Sequence, residues 1–141
     1  MGIDLENLGS TTFKRKDFKR GFEPDSCFYF KNAERIRSKD EIDLQSDPPP
    51  DLVIEIDITG GSIHKLPIYA ALGIPEVWRF TDKGLMILLL TAGAYVEVEQ
   101  SLALPGLTGA MVVRFIEDSR RLKRPAWIKS IREWARSNRP V

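Results

Sequence analysis

The chain has only one cysteine, Cys27, and one histidine, His64. A lone cysteine excludes an intramolecular disulfide and a zinc-binding thiolate cluster, and it fits a reducing compartment. A lone histidine leaves no Cys/His metal site and no histidine-based triad. Charge of one sign is missing too. With 21 Lys and Arg against 20 Asp and Glu, the net charge is +1, so any nucleic-acid surface has to be local. The longest apolar-rich run, Leu85 to Leu90, is far too short to span a membrane. The opening Met1-Gly2-Ile3-Asp4 has no basic stretch leading into an apolar run, so it is not a secretory signal. A cytoplasmic protein without a membrane partner is the expectation. Its chemistry has to be built from carboxylates, Lys, Arg, Tyr and Ser.

What remains is an ordinary globular composition, 43% hydrophobic and 29% charged over 141 residues. That predicts one domain, 1–141, large enough to bury a core. Residues 1–22 read as polar and irregular, with Lys14, Arg15, Lys16, Lys19 and Arg20 interleaved with Phe13, Phe18 and Phe22, so a short amphipathic segment fits there. Strands are predicted over 25–30, 51–58, 74–81, 85–90 and 94–100, with a little strand at Ile42 to Leu44 and a loop or helical turn over 31–41. Lys65 to Leu72 reads as a helix that Gly73 closes, and Pro67 is tolerable there only near the first turn. Two further helices are predicted over 111–122 and 125–138, the second opened by Pro125. The order β, β, α, β, β, β, α, α predicts an α/β (α+β) fold, one mixed β-sheet flanked by helices.

The most informative stretch is Asp51-Leu52-Val53-Ile54-Glu55-Ile56-Asp57-Ile58. It alternates strictly, with apolar residues on one face and Asp51, Val53, Glu55 and Asp57 on the other. Three carboxylates on one face repel one another unless something positive lies among them. At about 3.3 Å per residue, Asp51 and Glu55 stand about 13 Å apart, too far to share a cation whose oxygen ligands lie at about 2.1 Å. A neighbouring strand runs only about 4.8 Å away, which makes Asp25 the better partner. Asp25, Glu55 and the Ile56 carbonyl would suffice for Mg2+ or Mn2+, which takes few protein ligands and keeps its waters. Lys65, returning after the turn at Gly60-Gly61-Ser62, is long enough to re-enter the carboxylate cluster and assist a metal-activated water attacking a phosphodiester.

Pro-Pro-Asp-Leu-Val-Ile-Glu-Ile-Asp-Ile-Thr, followed by Lys-x-x-x-Tyr-x-x-x-Gly-Ile-Pro-Glu-Val-Trp, resembles the Uma-two group of restriction-endonuclease-like proteins, a group abundant in cyanobacteria. Its members are assigned to the PD-(D/E)XK nuclease superfamily. The likeness runs from about Ser10 to Phe115, and Asp51, Glu55, Lys65, Tyr69, Gly73, Glu76 and Trp78 carry it. It implies a restriction-endonuclease-like fold and a metal-dependent endonuclease acting on DNA, with Asp25 and Glu55 matching the metal-binding acids and Lys65 a displaced catalytic lysine. By the same analogy, cutting both strands would use two sites and hence a homodimer.

Two features depart from that pattern. Asp57 stands where the superfamily places its lysine, two residues after the acid. Family members also carry sequence before the region matching residues 10–25, including a helix that can supply another acid, so this chain is expected to begin late. Glu6 and Asp17 are the acids left to substitute. These departures favour an alternative, a catalytically inactive nuclease fold acting as a nucleic-acid-binding or oligomerising module.

Other residues have plainer readings. Asp51 reads as a strand-start residue, Asp57 as a strand-end residue or a ligand to a second metal, and His64 as exposed or capping. Tyr69, Ile74 and Trp78 read as helix-to-sheet packing, with Tyr69 four residues after Lys65 on the same helix face. From Arg120 to Arg139 the chain carries eight Lys and Arg against Glu133 alone, while Trp127, Ile128, Ile131, Trp134 and Ala135 form an apolar helical stripe. The basic face is either a nucleic-acid contact or a solvated surface.

Overall fold

The computed structural model describes residues 6–9, 24–39, 41–57 and 64–137. In chain order these form β1 (Glu6–Gly9), β2 (Ser26–Tyr29), α1 (Ala33–Arg37), β3 (Leu52–Ile56), α2 (Leu66–Ala71), β4 (Glu76–Thr81), β5 (Gly84–Thr91), β6 (Ala94–Val98), α3 (Gly109–Arg121) and α4 (Arg124–Ser137). The six strands make one sheet in sequence order. Every neighbouring pair is antiparallel except β3 and β4, which run parallel and are joined through α2. This is the mixed sheet flanked by helices that the sequence predicts.

Both faces of the sheet are covered. Cys27, Tyr29, Val53, Val77 and Leu88 point to one side, where Ala33 and Ile36 of α1 and Tyr69 of α2 pack on them. Leu52, Trp78 and Ile87 point to the other, beneath Met111, Val112 and Phe115 of α3. Helix α4 packs on α3, its Trp134 ring meeting Phe115 edge to face at 5.7 Å. Helix α3 comes so close to β5 that a Cβ at Gly109 would lie 2.7 Å from the Leu85 carbonyl oxygen. Thr108 caps it, accepting from the Met111 N–H at 3.2 Å.

The helix that serves the site is short and sharply ended. Lys65 is the N-cap of α2 and Pro67 lies in its first turn, where its missing N–H costs no helical hydrogen bond. At the other end Gly73 takes φ +75°, the Gly73 N–H reaches the Ala70 carbonyl and the Ile74 N–H reaches the Tyr69 carbonyl. Those two bonds form a Schellman cap. It turns the chain straight into β4 and leaves Tyr69 and Ile74 fully buried against the sheet.

Several expectations need correction. Strand β1 and helix α1 add to the predicted order. The Glu6-Asn7-Leu8-Gly9 stretch has no apolar alternation, and its strand character comes from backbone pairing with β2. Of Ile42 to Leu44, only Asp43 makes a single β-bridge, and no longer strand forms. The chain turns there instead, with the Ser46 and Asp47 N–H groups both bonded to the Asp43 carbonyl. Asp47 holds this turn through the Asp43 N–H at 3.0 Å and Lys39 at 2.6 Å. The basic segment at 14–20, the Gly60-Gly61-Ser62 turn, Asp17, Ile58 and Arg139 lie outside the described residues.

Candidate active site

The register of β2 on β3 pairs Ser26 with Ile54, so one step further Asp25 falls opposite Glu55 and Pro24 opposite Ile56. Asp25 shares the parity of Cys27 and Tyr29, and Glu55 that of Val53, so both acids occupy the α1/α2 face of the sheet. Asp57 donates its N–H to Phe80 on β4, which turns the N–H and carbonyl of Ile56 towards β2. There a regular ladder would continue through residue 24. Pro24 has no N–H to offer the Ile56 carbonyl. The Ile56 N–H goes instead to the Asp25 carboxylate, Oδ2 at 2.7 Å. One proline thus ends the ladder, lets the exposed Asp25 carboxylate take the Ile56 N–H and leaves the Ile56 carbonyl on the side of both acids.

Glu55 is 2% exposed, and three side chains meet it. Tyr69 donates its hydroxyl to Oε1 in a short hydrogen bond. The Lys65 ammonium stands 3.4 Å from both Oε1 and Oε2. The Asp25 carboxylate lies near enough for its charge to act on the Glu55 carboxyl. Burial pushes the Glu55 carboxyl above the usual carboxylate range. The Tyr69 hydroxyl and the Lys65 charge pull it down, and Asp25 adds to the upward push. Burial and the bond to Glu55 hold the Tyr69 phenol far above its ordinary value, so it stays a donor.

Two carboxylates, Glu55 buried and Asp25 exposed, and a carbonyl where β2 meets β3 form a donor set that could hold one divalent cation. Among the described residues no three His, Cys, Asp or Glu converge. Further ligands would therefore be waters or the substrate's own oxygens, the usual pattern for Mg2+.

The other candidates fall elsewhere. Asp51 accepts from the Phe30 and Lys31 N–H groups at 2.7 and 3.0 Å, holding the far end of β2. Glu6 pairs in register with Tyr29, at the end of β2 away from Asp25. His64 is exposed. Asp57 is buried and paired with Arg79, Nη2 to Oδ2 at 2.8 Å. Cys27 is fully buried and its thiol is pushed up to about 12 by burial, which makes it a packing group and not a nucleophile.

Sequence reasoning missed two participants. The sequence reads Tyr69 as packing, or as positioning Lys65 from one helical turn away, whereas its hydroxyl goes to Glu55. Arg79 carried no signal, because its place opposite Glu55 depends on the register of β4 against β3. Trp78 and Ile74 do pack as expected, and Trp78 also donates to Glu76 at 2.6 Å. The basic helix α4 lies behind α3, on the opposite side of the sheet from Glu55. A groove of about 510 Å³ runs along it, lined by Pro125 and Ile128, by Arg124, Lys129, Arg132 and Arg136, and by the acidic Glu133.

A mixed sheet covered by helices on both faces, with paired acids and a lysine gathered where β2 meets β3, has the architecture of a restriction-endonuclease-like domain. Residues 3–119 match the model of the Uma2 family, described as "Putative restriction endonuclease". The chain belongs to that family. No curated protein matches it.

Proposed function

We propose that the chain is a metal-dependent endonuclease that hydrolyses phosphodiester bonds in DNA at the Asp25–Glu55 edge. The observation that carries this reading is the meeting of Asp25, Glu55 and Lys65 from three separate elements at one strand edge. Asp25 and Glu55, with the Ile56 carbonyl, would hold Mg2+ or Mn2+. Such an ion supplies Lewis-acid polarisation of the phosphoryl oxygen and a more acidic water.

The protein's own groups do the rest. Tyr69 and Lys65 favour the charged form of Glu55, the form a cation ligand requires, against its burial. The Ile56 N–H fixes one Asp25 oxygen and leaves the other for the cation. The Lys65 ammonium, 37% exposed at its side chain, reaches both Glu55 and solvent and can donate to the oxygen on which charge develops as phosphorus is attacked.

A second reading has its own support. Asp57 occupies the strand position where the superfamily carries lysine, and Arg79 already pairs with it. A nuclease fold that binds nucleic acid without cutting would tolerate that exchange. Titration calorimetry with Mg2+ and Mn2+, run beside a plasmid-nicking assay, separates the two. The nuclease reading expects millimolar or tighter binding that Glu55→Ala abolishes together with nicking. Binding of DNA with neither metal binding nor nicking would establish the inactive fold.

A further inference from the structure

The apolar face of β3 runs out from under its helical cover beside the site. Leu52 and Ile54 pack in the cluster beneath α3, but Ile56, next on that face, is 63% exposed. Its register partner on β4 is Phe80, half-buried and of the same parity as Trp78. Among the described residues neither Ile56 nor Phe80 joins the apolar clusters on the two faces of the sheet. One exposed apolar residue is ordinary. Two of them on adjacent strands, about 4.8 Å apart, make a small platform. The Ile56 N–H binds Asp25, and its carbonyl completes the donor set proposed for the cation. One residue thus carries donor atoms on its backbone and half of the platform on its side chain.

We propose that Ile56 and Phe80 receive the base of the nucleotide beside the scissile phosphate, and that the substrate is DNA with an unpaired or mismatched nucleotide there. This rests on the reading of Asp25, Glu55 and the Ile56 carbonyl as the cation site. A phosphate held at that carbonyl is one sugar away from its base, which puts the base within reach of the Ile56 side chain. In intact duplex a base turns only its edge, with its donors and acceptors, towards a protein. The two platform side chains have no donor or acceptor, so they gain from the face of a base and not from its edge. Apolar side chains such as Ile and Phe take that face when a base step is unstacked. Unstacking costs least at a mismatched or unpaired nucleotide, which selects that class of substrate.

Cleavage of two duplexes that differ in one mismatched pair tests this, with Mn2+ calorimetry and circular dichroism on the same proteins. The unaltered protein should cut beside the mismatch with kcat/KM roughly tenfold above that for the matched duplex. Ile56→Ser should lose most of that preference and Ile56→Leu should keep it, a pattern that a merely structural role would not produce. Phe80→Ser should lower the preference too, with Mn2+ affinity within about twofold, because its side chain has no part in the donor set. If Phe80→Ser does not fold, the exposed Ile56 decides the matter. Equal cutting of both duplexes by the unaltered protein, a preference that survives Ile56→Ser, or a tenfold loss of Mn2+ affinity in folded Phe80→Ser overturns the inference and leaves the Asp25–Glu55 reading standing. If the unaltered protein binds no Mn2+ and nicks no DNA, both fall together.

Discussion

At Glu55 burial opposes the charge that ligation requires. Burial raises its carboxyl, Tyr69 and Lys65 work the other way, and Asp25 sides with burial. Because the folded value lies above the unfolded one, the neutral form is what folding favours. The stability Glu55 contributes is therefore full below the unfolded value of about 4.3 and fades as pH rises through the raised one. Cation binding has the opposite sign, since it needs the ionised form and weakens as pH falls through the same raised value. Tyr69→Phe removes a hydrogen bond to a charged group, worth about 1.5–3 kcal/mol. We expect Mn2+ affinity in Tyr69→Phe to drop roughly tenfold near pH 6 and to recover at higher pH. Affinity measured across pH checks this, and an unmoved acid limb would return Tyr69 to plain packing. A sequence could show Tyr69 on the helix face of Lys65. It could not show that the Schellman cap at Gly73 would aim that face at Glu55.

At the scale of elements, β4 holds the sheet to the loop that leads into α3. Glu76, 1% exposed, accepts four hydrogen bonds. Its Oε1 takes the Leu102 and Ala103 N–H groups at 2.7 and 2.9 Å, and its Oε2 takes Trp78 Nε1 and Ser101 Oγ, both at 2.6 Å. Glu76→Gln would put an NH2 group against the Leu102 and Ala103 N–H groups in one orientation and against Trp78 Nε1–H in the other, with only the Ser101 hydroxyl able to turn and accept. A loss of about 2–4 kcal/mol is expected by urea denaturation, with Mn2+ binding at the distant Asp25–Glu55 edge unchanged in the folded protein. A stability change under about 0.5 kcal/mol would mean the donors find water instead. The long alternating strands and the capped helix α2 were legible in the sequence, because period and cap chemistry are local. Strand β1 was not, since four residues without apolar alternation become a strand only through β2. The stretch over 31–41 reads as a loop or helical turn, and the buried Ala33 and Ile36 of α1 show that docking on the sheet stabilises the helix there. The pairing of Asp25 with Glu55 could be inferred from strand spacing. The part played by Pro24, which ends the ladder and directs Asp25, needed the register.

Across the whole molecule, the distribution of charge relative to the sheet bears on how DNA would be held. Strand parity places Asp25, Glu55 and Lys65 on the α1/α2 face, while α4 lies beyond α3 on the other. Helix α4 packs on α3 and its Trp134 joins the apolar cluster on that face, so the sheet lies between its cations and Glu55. Its cations therefore cannot join the transition state at Glu55. Either they hold a remote stretch of the same DNA or they only solvate the helix. These roles differ in kinetics as well as affinity. Arg132 and Arg136 are exposed and four residues apart, one above the other on the helix. If both meet phosphates, Arg132→Ala/Arg136→Ala should flatten the dependence of log affinity on log salt by about 1.8, at about 0.9 per contact. The cleavage rate at saturating DNA should stay as it was, because the groups at the strand edge are untouched. Binding titrations across a salt series, paired with single-turnover cleavage, read both quantities. An unchanged salt slope would assign the α4 face to solvent. A slower cleavage step at saturation would place DNA across both faces of the domain and require α4 to position the scissile bond.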